Sequence, residues 1–225
     1  MKIGLFDSGI GGTTILSAIQ KLLPDEEYKY IADSKNCPYG EKSDQELKAI
    51  VTTNTESLIN WGAKIIVIAC NTATTRCISF LREKYPSIHF VGTEPAIKLA
   101  VATSAKSILV MATPGTIASE RLHSLLEENL KPDQVIRLLS CPGLADLIEQ
   151  NYGSRNLRPI MEYLKNLFQD TETTPEIIVL GCTHYSLIKP EIQSFFPSAR
   201  LIDGNDGVAR QVQSLVNEFG TSPHF

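Results

Sequence analysis

The chain has 225 residues, 43% hydrophobic and 20% charged, with 21 Lys and Arg against 25 Asp and Glu for a formal net charge of −4. That balance supplies no basic face of the kind that binds nucleic acid, and the ordinary composition excludes fibrous and disordered classes. No apolar run approaches the ~20 residues of a membrane-spanning helix, so no membrane association is expected, and the length suits one large domain or two of about 100 residues.

Met1 leads directly into a strand pattern without a signal-peptide region. Five cysteines, odd in number and scattered at 37, 70, 77, 141 and 182, favour reduced thiols in a cytoplasmic protein over a disulfide framework.

Apolar β-branched runs alternate with amphipathic stretches along the chain. A strand over Ile3–Phe6 precedes a helix from Thr13 to Leu23, and a strand over Tyr28–Ala32 precedes, after a loop, a long helix from Asp44 to Trp61. Ile65–Ala69 leads to a helix ending near Tyr85, and His89–Val91 to one near Pro95–Thr103. The pattern then restarts. Ser107–Ala112 leads to a helix over Ile117–Asn129, and Gln134–Leu139 to helical stretches through Phe168. Ile177–Leu180 leads to a helix ending near Phe196, and Arg200–Ile202 to a final helix over about Gly207–Phe219.

Strict βαβα alternation predicts an α/β fold with doubly wound parallel sheets. Ile3–Ser8 aligns with Ile108–Thr113, Ile65–Thr72 with Ile177–His184, and Phe90–Gly92 with Leu201–Asp203, at offsets between 105 and 112 residues. These ordered offsets predict two pseudo-symmetric domains, residues 1–95 and 96–206, facing each other across an active-site cleft. The helix at about 207–219 is expected to return to the first domain.

Cys70 and Cys182 occupy equivalent places in this repeat, each closing a buried parallel strand and opening a helix. Open α/β sheets place ligands there, and the positive helix end favours thiolate over thiol. Two matched thiols suit a reaction that removes a proton from one face of a substrate and delivers one to the other. The alternative, that they are small buried hydrophobes, does not account for the polar Asn71-Thr72 and Thr183-His184 directly behind them. Cys77 and Cys141, lacking the strand-end context, are expected to be structural.

Asp7-Ser8-Gly9-Ile10-Gly11-Gly12 follows the first strand. It is either a plain glycine-rich turn or an anion cradle; Asp7 and Ser8 tip it towards binding an ammonium or hydroxyl group. It is neither GxGxxG nor a nucleotide-binding P-loop. Cys37-Pro38-Tyr39-Gly40 reads as an ordered turn, and Thr113-Pro114-Gly115-Thr116 as either a helix cap or a carboxylate site. No ligand set for a metal is completed by His184 or any cysteine pair.

Taken together, Asp7–Gly12, Pro38-Tyr39-Gly40, Ala69-Cys70-Asn71-Thr72-Ala73, Glu94–Lys98 and Gly181-Cys182-Thr183-His184-Tyr185 resemble glutamate racemase signatures, in that family's order. The resemblance implies an isomerase needing no cofactor, with a small-molecule substrate, L- or D-glutamate, a role in supplying D-glutamate for peptidoglycan, and a homodimer. It implies that Cys70 and Cys182 are the acid/base pair, Cys70 acting on D-glutamate and Cys182 on L-glutamate. Asp7 assists the first thiol, His184 and Glu149 the second. Asp7, Ser8, Pro38, Tyr39, Gly40, Asn71, Thr72, Thr116, Thr183 and His184 match substrate-contacting positions. Ser186 and Leu99 stand where the family commonly has proline, an aromatic expected near Leu122 is absent, and the chain is shorter at its carboxyl end. An aspartate or broad-specificity racemase, or a racemase fold with an added gyrase-inhibitor-like role, shares these features.

Racemisation breaks a Cα–H bond, and many enzymes supply pyridoxal phosphate for it. No lysine here lies in a recognisable Schiff-base context, so direct abstraction by a thiolate is the better reading. Backbone amides of the Asn71-Thr72 and Thr183-His184 turns are the expected donors to the substrate carboxylate.

Overall fold

A computed structural model describes residues 1–154, 156–169 and 174–221. The first half runs β1 (Lys2–Asp7), α1 (Thr13–Leu22), β2 (Glu27–Ala32), α2 (Asp44–Trp61), β3 (Ile65–Ile68), α3 (Asn71–Lys84) and β4 (His89–Gly92). Short 3₁₀ turns at Ser34–Asn36 and Tyr39–Glu41 lie between β2 and α2. After α4 (Ile97–Val101) the second half runs β5 (Ser107–Ala112), α5 (Pro114–Ile117), α6 (Glu120–Asn129), β6 (Val135–Ser140), α7 (Leu144–Asn151), α8 (Arg158–Phe168), β7 (Ile177–Gly181), α9 (Thr183–Leu187), α10 (Lys189–Phe195) and β8 (Arg200–Ile202). Helix α11 (Asn205–Thr221) ends the described chain.

The strands form two four-stranded sheets of the same order, β2-β1-β3-β4 and β6-β5-β7-β8, with every pairing parallel. The α/β fold expected from the alternation is present. The central strands β3 and β7 are buried on both faces, which is why they read as unbroken Ile-Val-Leu runs. On one face of the first sheet, Leu47, Val51 and Leu58 of α2 and Cys77 and Leu81 of α3 pack against Phe6, Ile66 and Ile68. On the other, Ile15 and Ile19 of α1 join Val208, Ala209 and Val212 of α11 over Ile3, Leu5 and Val67. The second sheet is covered by α7, α8 and α10 on one side and by α4 and α6 on the other.

Three expected helices differ in extent. The single helix foreseen over Ile117–Asn129 is two, because Ser119 breaks it: its side chain accepts from Leu122 N–H as the N-cap of α6. The helix after Cys182 also splits, at Ile188, with Pro190 in the first turn of α10, where proline needs no N–H partner. The last helix begins at Asn205 rather than Gly207, its approach fixed by Asn205 N–H donating to Asp203. Of the departures from the family pattern, Ser186 donates to Asp203 at 2.8 Å, Leu122 is fully buried in the α6 core, and Leu99 is exposed.

Candidate active site

Cys70 and Cys182 are the N-cap residues of α3 and α9, two residues beyond β3 and one beyond β7, as their equivalence in the repeat requires. Both thiols are buried, and both line one small cavity with Ser8, Pro38, Tyr39, Gly40, Asn71, Thr72, Thr113, Ala145 and Gly181. Its volume is about 20 Å³, the space one water needs. The two halves are closed on each other. The larger hollows, of about 670 and 560 Å³, lie among paired charges such as Arg76–Asp44 and Lys189–Asp203 and contain neither cysteine, whereas the small one holds both.

Amide groups point at the sulfurs. Those of Ala73 and Thr72 stabilise the Cys70 thiolate and those of His184 and Tyr185 the Cys182 thiolate. The helix ends were expected to favour thiolate, and their sign is right, but burial prevails. Burial and then the Asp7 charge hold Cys70 well above the ordinary thiol range. Cys182 is raised by burial, then by the negative charge of Cys70 and of Asp7. Two thiolates facing each other are disfavoured, so at most one ionises at a time.

Asp7 does not touch the Cys70 thiol. The thiol donates to Ser8 Oγ at 3.9 Å, and Ser8 Oγ donates to Asp7 at 3.5 Å, so Ser8 stands between them. The other Asp7 oxygen accepts from Gly12 N–H at 2.6 Å and from Thr183 Oγ1 at 3.0 Å, reaching across to the residue after Cys182. Burial pushes the Asp7 carboxyl up, partly offset by His184 and these donors.

His184 is 1% exposed, with Nδ1 at 3.9 Å from Cys182 Sγ and Nε2 at 2.8 Å from Glu149 Oε2. Against the upward push of burial, hydrogen bonds from His184, Ser34 and Ile10 hold Glu149 at about 2, well below the usual carboxylate range. An ionised carboxylate only accepts, so Nε2 carries a proton towards Glu149, and Nδ1 faces the Cys182 sulfur. Glu149 belongs to α7, yet it takes Ile10 N–H at 2.8 Å and the Ser34 hydroxyl from the first half.

A hydroxyl trio closes the opposite side: Thr72 Oγ1 lies 3.0 Å from Thr113 Oγ1 and 3.4 Å from Thr116 Oγ1, with Thr113 donating to Thr116 at 3.1 Å. The Thr113 side chain also accepts from Thr116 N–H as the α5 cap, so the cap reading of this turn is met, and Thr113 also lines the cavity. Asn71 Oδ1 is buried without a donor. Cys77 lies within α3, away from the cavity; Cys141 directly follows β6, so it does have strand-end context, but its thiol donates to Leu139 O within the α7–α8 core.

Glycines permit the close approach of the β1–α1 turn to the second half. A Cβ on Gly11 would lie 2.6 Å from His184 N and from Thr183 Oγ1, and one on Gly9 would collide with the Glu149 carboxylate. The cavity thus gathers every expected site residue except Glu149, His184, Thr116, Thr183 and Asp7, which surround it through the bonds above. Sequence reasoning missed Ser34, Asp33 and Asn54. Asn54 left one trace: a polar residue on the buried stripe Leu47–Val51–Leu58 of α2.

Comparison with known proteins places this geometry. Residues 13–212 match the family Asp/Glu/Hydantoin racemase. The chain belongs to that racemase family. It is 40% identical over 219 residues to a glutamate racemase of Clostridium acetobutylicum, covering 96% of this chain and 84% of that one. Among solved racemases, it superimposes with a TM-score of 0.88 at 31% identity on Escherichia coli glutamate racemase in complex with L-glutamate and the activator UDP-MurNAc-ala, covering 96% of this chain and 82% of that chain. For the Francisella tularensis enzyme in complex with D-glutamate the TM-score is 0.78 at 28% identity, covering 97% and 82%. Among the described residues, no group of three or more His, Cys, Asp or Glu is placed to hold a metal ion, and no helix is long and apolar enough to cross a membrane.

Proposed function

We propose that this racemase interconverts L- and D-glutamate by proton transfer at Cα between Cys70 and Cys182, without a cofactor. The observation that carries the reading is the pair of buried thiols from equivalent strand ends lining one cavity. In the L-to-D direction the Cys182 thiolate takes the Cα proton, forming S–H as Cα–H breaks, and the Cys70 S–H protonates the opposite face. In the D-to-L direction the roles exchange. The site is nearly dry, so charge is worth more there than in water. An incoming α-ammonium offsets the burial that keeps both thiols protonated. Asp7 and the unpartnered Asn71 Oδ1 suit that ammonium, and the Thr72, Thr113 and Thr116 hydroxyls suit a carboxylate. Glu149 orients His184 against Cys182.

The same reading assigns the chain two domains, 1–95 and 96–206, with α11 returning to the first, supported by the α1–α11 core and by α4 packing on the second sheet. The reading extends to a cytoplasmic homodimer that supplies D-glutamate for peptidoglycan, in keeping with the similarity to proteins named glutamate racemase. Metal-free, cofactor-free protein incubated separately with L-glutamate and L-aspartate is the test, read by chiral chromatography. Glutamate is expected to approach a 1:1 mixture while aspartate lags far behind. Absence of D-glutamate, or faster conversion of aspartate, rejects the assignment.

A further inference from the structure

The loop from β2 to α2 carries Tyr39 and Gly40 into the cavity wall, and two residues outside that wall fix where they sit. Asp33 continues the ladder beyond β2, its N–H donating to Asp7 O at 2.9 Å. Its carboxylate then collects the loop: Asn36 Nδ2 donates to its two oxygens at 2.9 and 3.0 Å, and the Tyr39 hydroxyl donates at 2.7 Å. From α2, Asn54 Nδ2 donates to the Tyr39 hydroxyl at 3.0 Å and to Asp33 at 3.2 Å. The Tyr39 ring is 1% exposed and Asn54 9%. The hydroxyl gives its one proton to Asp33 and accepts from Asn54, so it has no donor left for a ligand. Asp33 and Asn54 line a separate hollow with Asn36, Ala49 and Ile50, not the cavity of the thiols.

The loop's far end meets the second half. A Cβ on Gly40 would touch Thr113 at 3.4 Å, and one on Gly115 would come within 3.0 Å of Gly40 O. Thr113 belongs to the hydroxyl trio. The anchor at Asp33 and Asn54 therefore determines how Tyr39 and Gly40 cover the pocket and abut the carboxylate side.

We propose that Asp33 and Asn54 are positioning residues for substrate binding, acting through the Tyr39 hydroxyl to fix the Tyr39-Gly40 wall against Thr113. The inference rests on reading this cavity as the racemase site. Neither residue reaches the reacting atoms, so their loss weakens binding more than it slows proton transfer. Because the wall faces both enantiomers, it does so equally in the two directions.

The test measures kcat and KM for L- and D-glutamate in the wild type, Asp33→Ala, Asn54→Ala, Tyr39→Phe and the double variant Asp33→Ala/Tyr39→Phe, with thermal unfolding of each. Each alanine variant is expected to raise KM about tenfold for both enantiomers, the scale of a lost buried hydrogen bond, with kcat within about threefold of wild type. In the Tyr39→Phe background, Asp33→Ala should add less than about twofold, because the hydroxyl through which it acts is gone. Asp33→Asn keeps an oxygen acceptor for that hydroxyl and should recover most of the KM; it also replaces Asp33→Ala if the latter does not fold. Effects that multiply in full on Tyr39→Phe, or a loss confined to kcat, or a loss matching only the fraction unfolded, overturn the proposal. If the wild type itself converts neither glutamate nor aspartate, the functional reading fails and this inference with it; wild-type turnover with unaltered variants sinks the inference alone.

Discussion

Cys70 and Cys182 are each flanked by amides that stabilise a thiolate and by burial that opposes it more strongly. On the proposed mechanism, both thiols stay protonated until the substrate's cation arrives, and mutual repulsion then permits only one to ionise. Replacing either sulfur with a hydroxyl removes a group whose pKa can be brought into range, so Cys70→Ser and Cys182→Ser are each expected to lower kcat by about 10³-fold or more while leaving the thermal midpoint close to wild type. Turnover above a tenth of wild type in either variant contradicts the two-thiol mechanism. Their helpers are less symmetric than the repeat implied. Of the two thiols His184 is bonded to Cys182, whereas Asp7 reaches Ser8 beside Cys70 and Thr183 beside Cys182. His184→Asn should therefore change kcat and KM unequally in the two directions, with Asp7→Asn slowing both similarly. Since the enantiomers equilibrate at unity, kcat/KM must fall equally in either direction, and initial rates from both sides at saturation carry the distinction. Equal kcat losses for His184→Asn in both directions contradict a one-sided role.

Among the elements, the β1–α1 turn is the one whose geometry the reaction depends on most. Gly11 lies where any side chain would strike the backbone at His184, so Gly11→Ala must push the turn away from α9. Activity should fall about 10²-fold, the cost of roughly 1 Å of misplacement, with far-UV circular dichroism unchanged; a fully active Gly11→Ala protein excludes this close approach. Periodicity in the sequence was sufficient to find every strand, because β1, β3, β5 and β7 are apolar runs flanked by turn residues. It missed the breaks at Ser119 and Ile188, since both flanking segments keep the helical period and only a side-chain cap or a proline two residues later divides them. The thiols were legible because the repeat displays them twice. Asp33, Asn54 and Ser34 were not, because their roles depend on partners up to 115 positions away. Glu149 was found only through resemblance; nothing in its local pattern reveals that it reaches Ile10 across the cleft.

At the scale of the molecule, the halves are joined by Asp7–Thr183, by the Thr72–Thr113–Thr116 hydroxyls and by Glu149, which holds Ile10 and Ser34 while bonded to His184. Glu149 has a folded pKa of about 2 against an ordinary 4.5. A depressed carboxyl contributes stability that is present above its unfolded value and lost as pH falls through its folded value. Glu149→Gln should therefore lower the thermal midpoint at pH 6 to 7 by several degrees, at about 2–4 °C per kcal/mol for a chain of this size. The gap from wild type should narrow from about pH 4.5 downward. A gap constant between pH 7 and pH 3 means the charge at Glu149 contributes nothing to closure. Asp7, raised by burial, works in the opposite sense over the acid range, so the two carboxyls partly cancel in the wild-type profile. The return of α11 onto α1 has a temporal counterpart. A growing chain emerges at about 5–20 residues per second, so the segment bearing Val208 and Val212 leaves the ribosome roughly ten to forty seconds after Ile15 and Ile19, which they cover. Throughout that interval the oldest part of the nascent chain presents a bare apolar stripe, and the polypeptide made first is the last to be sealed.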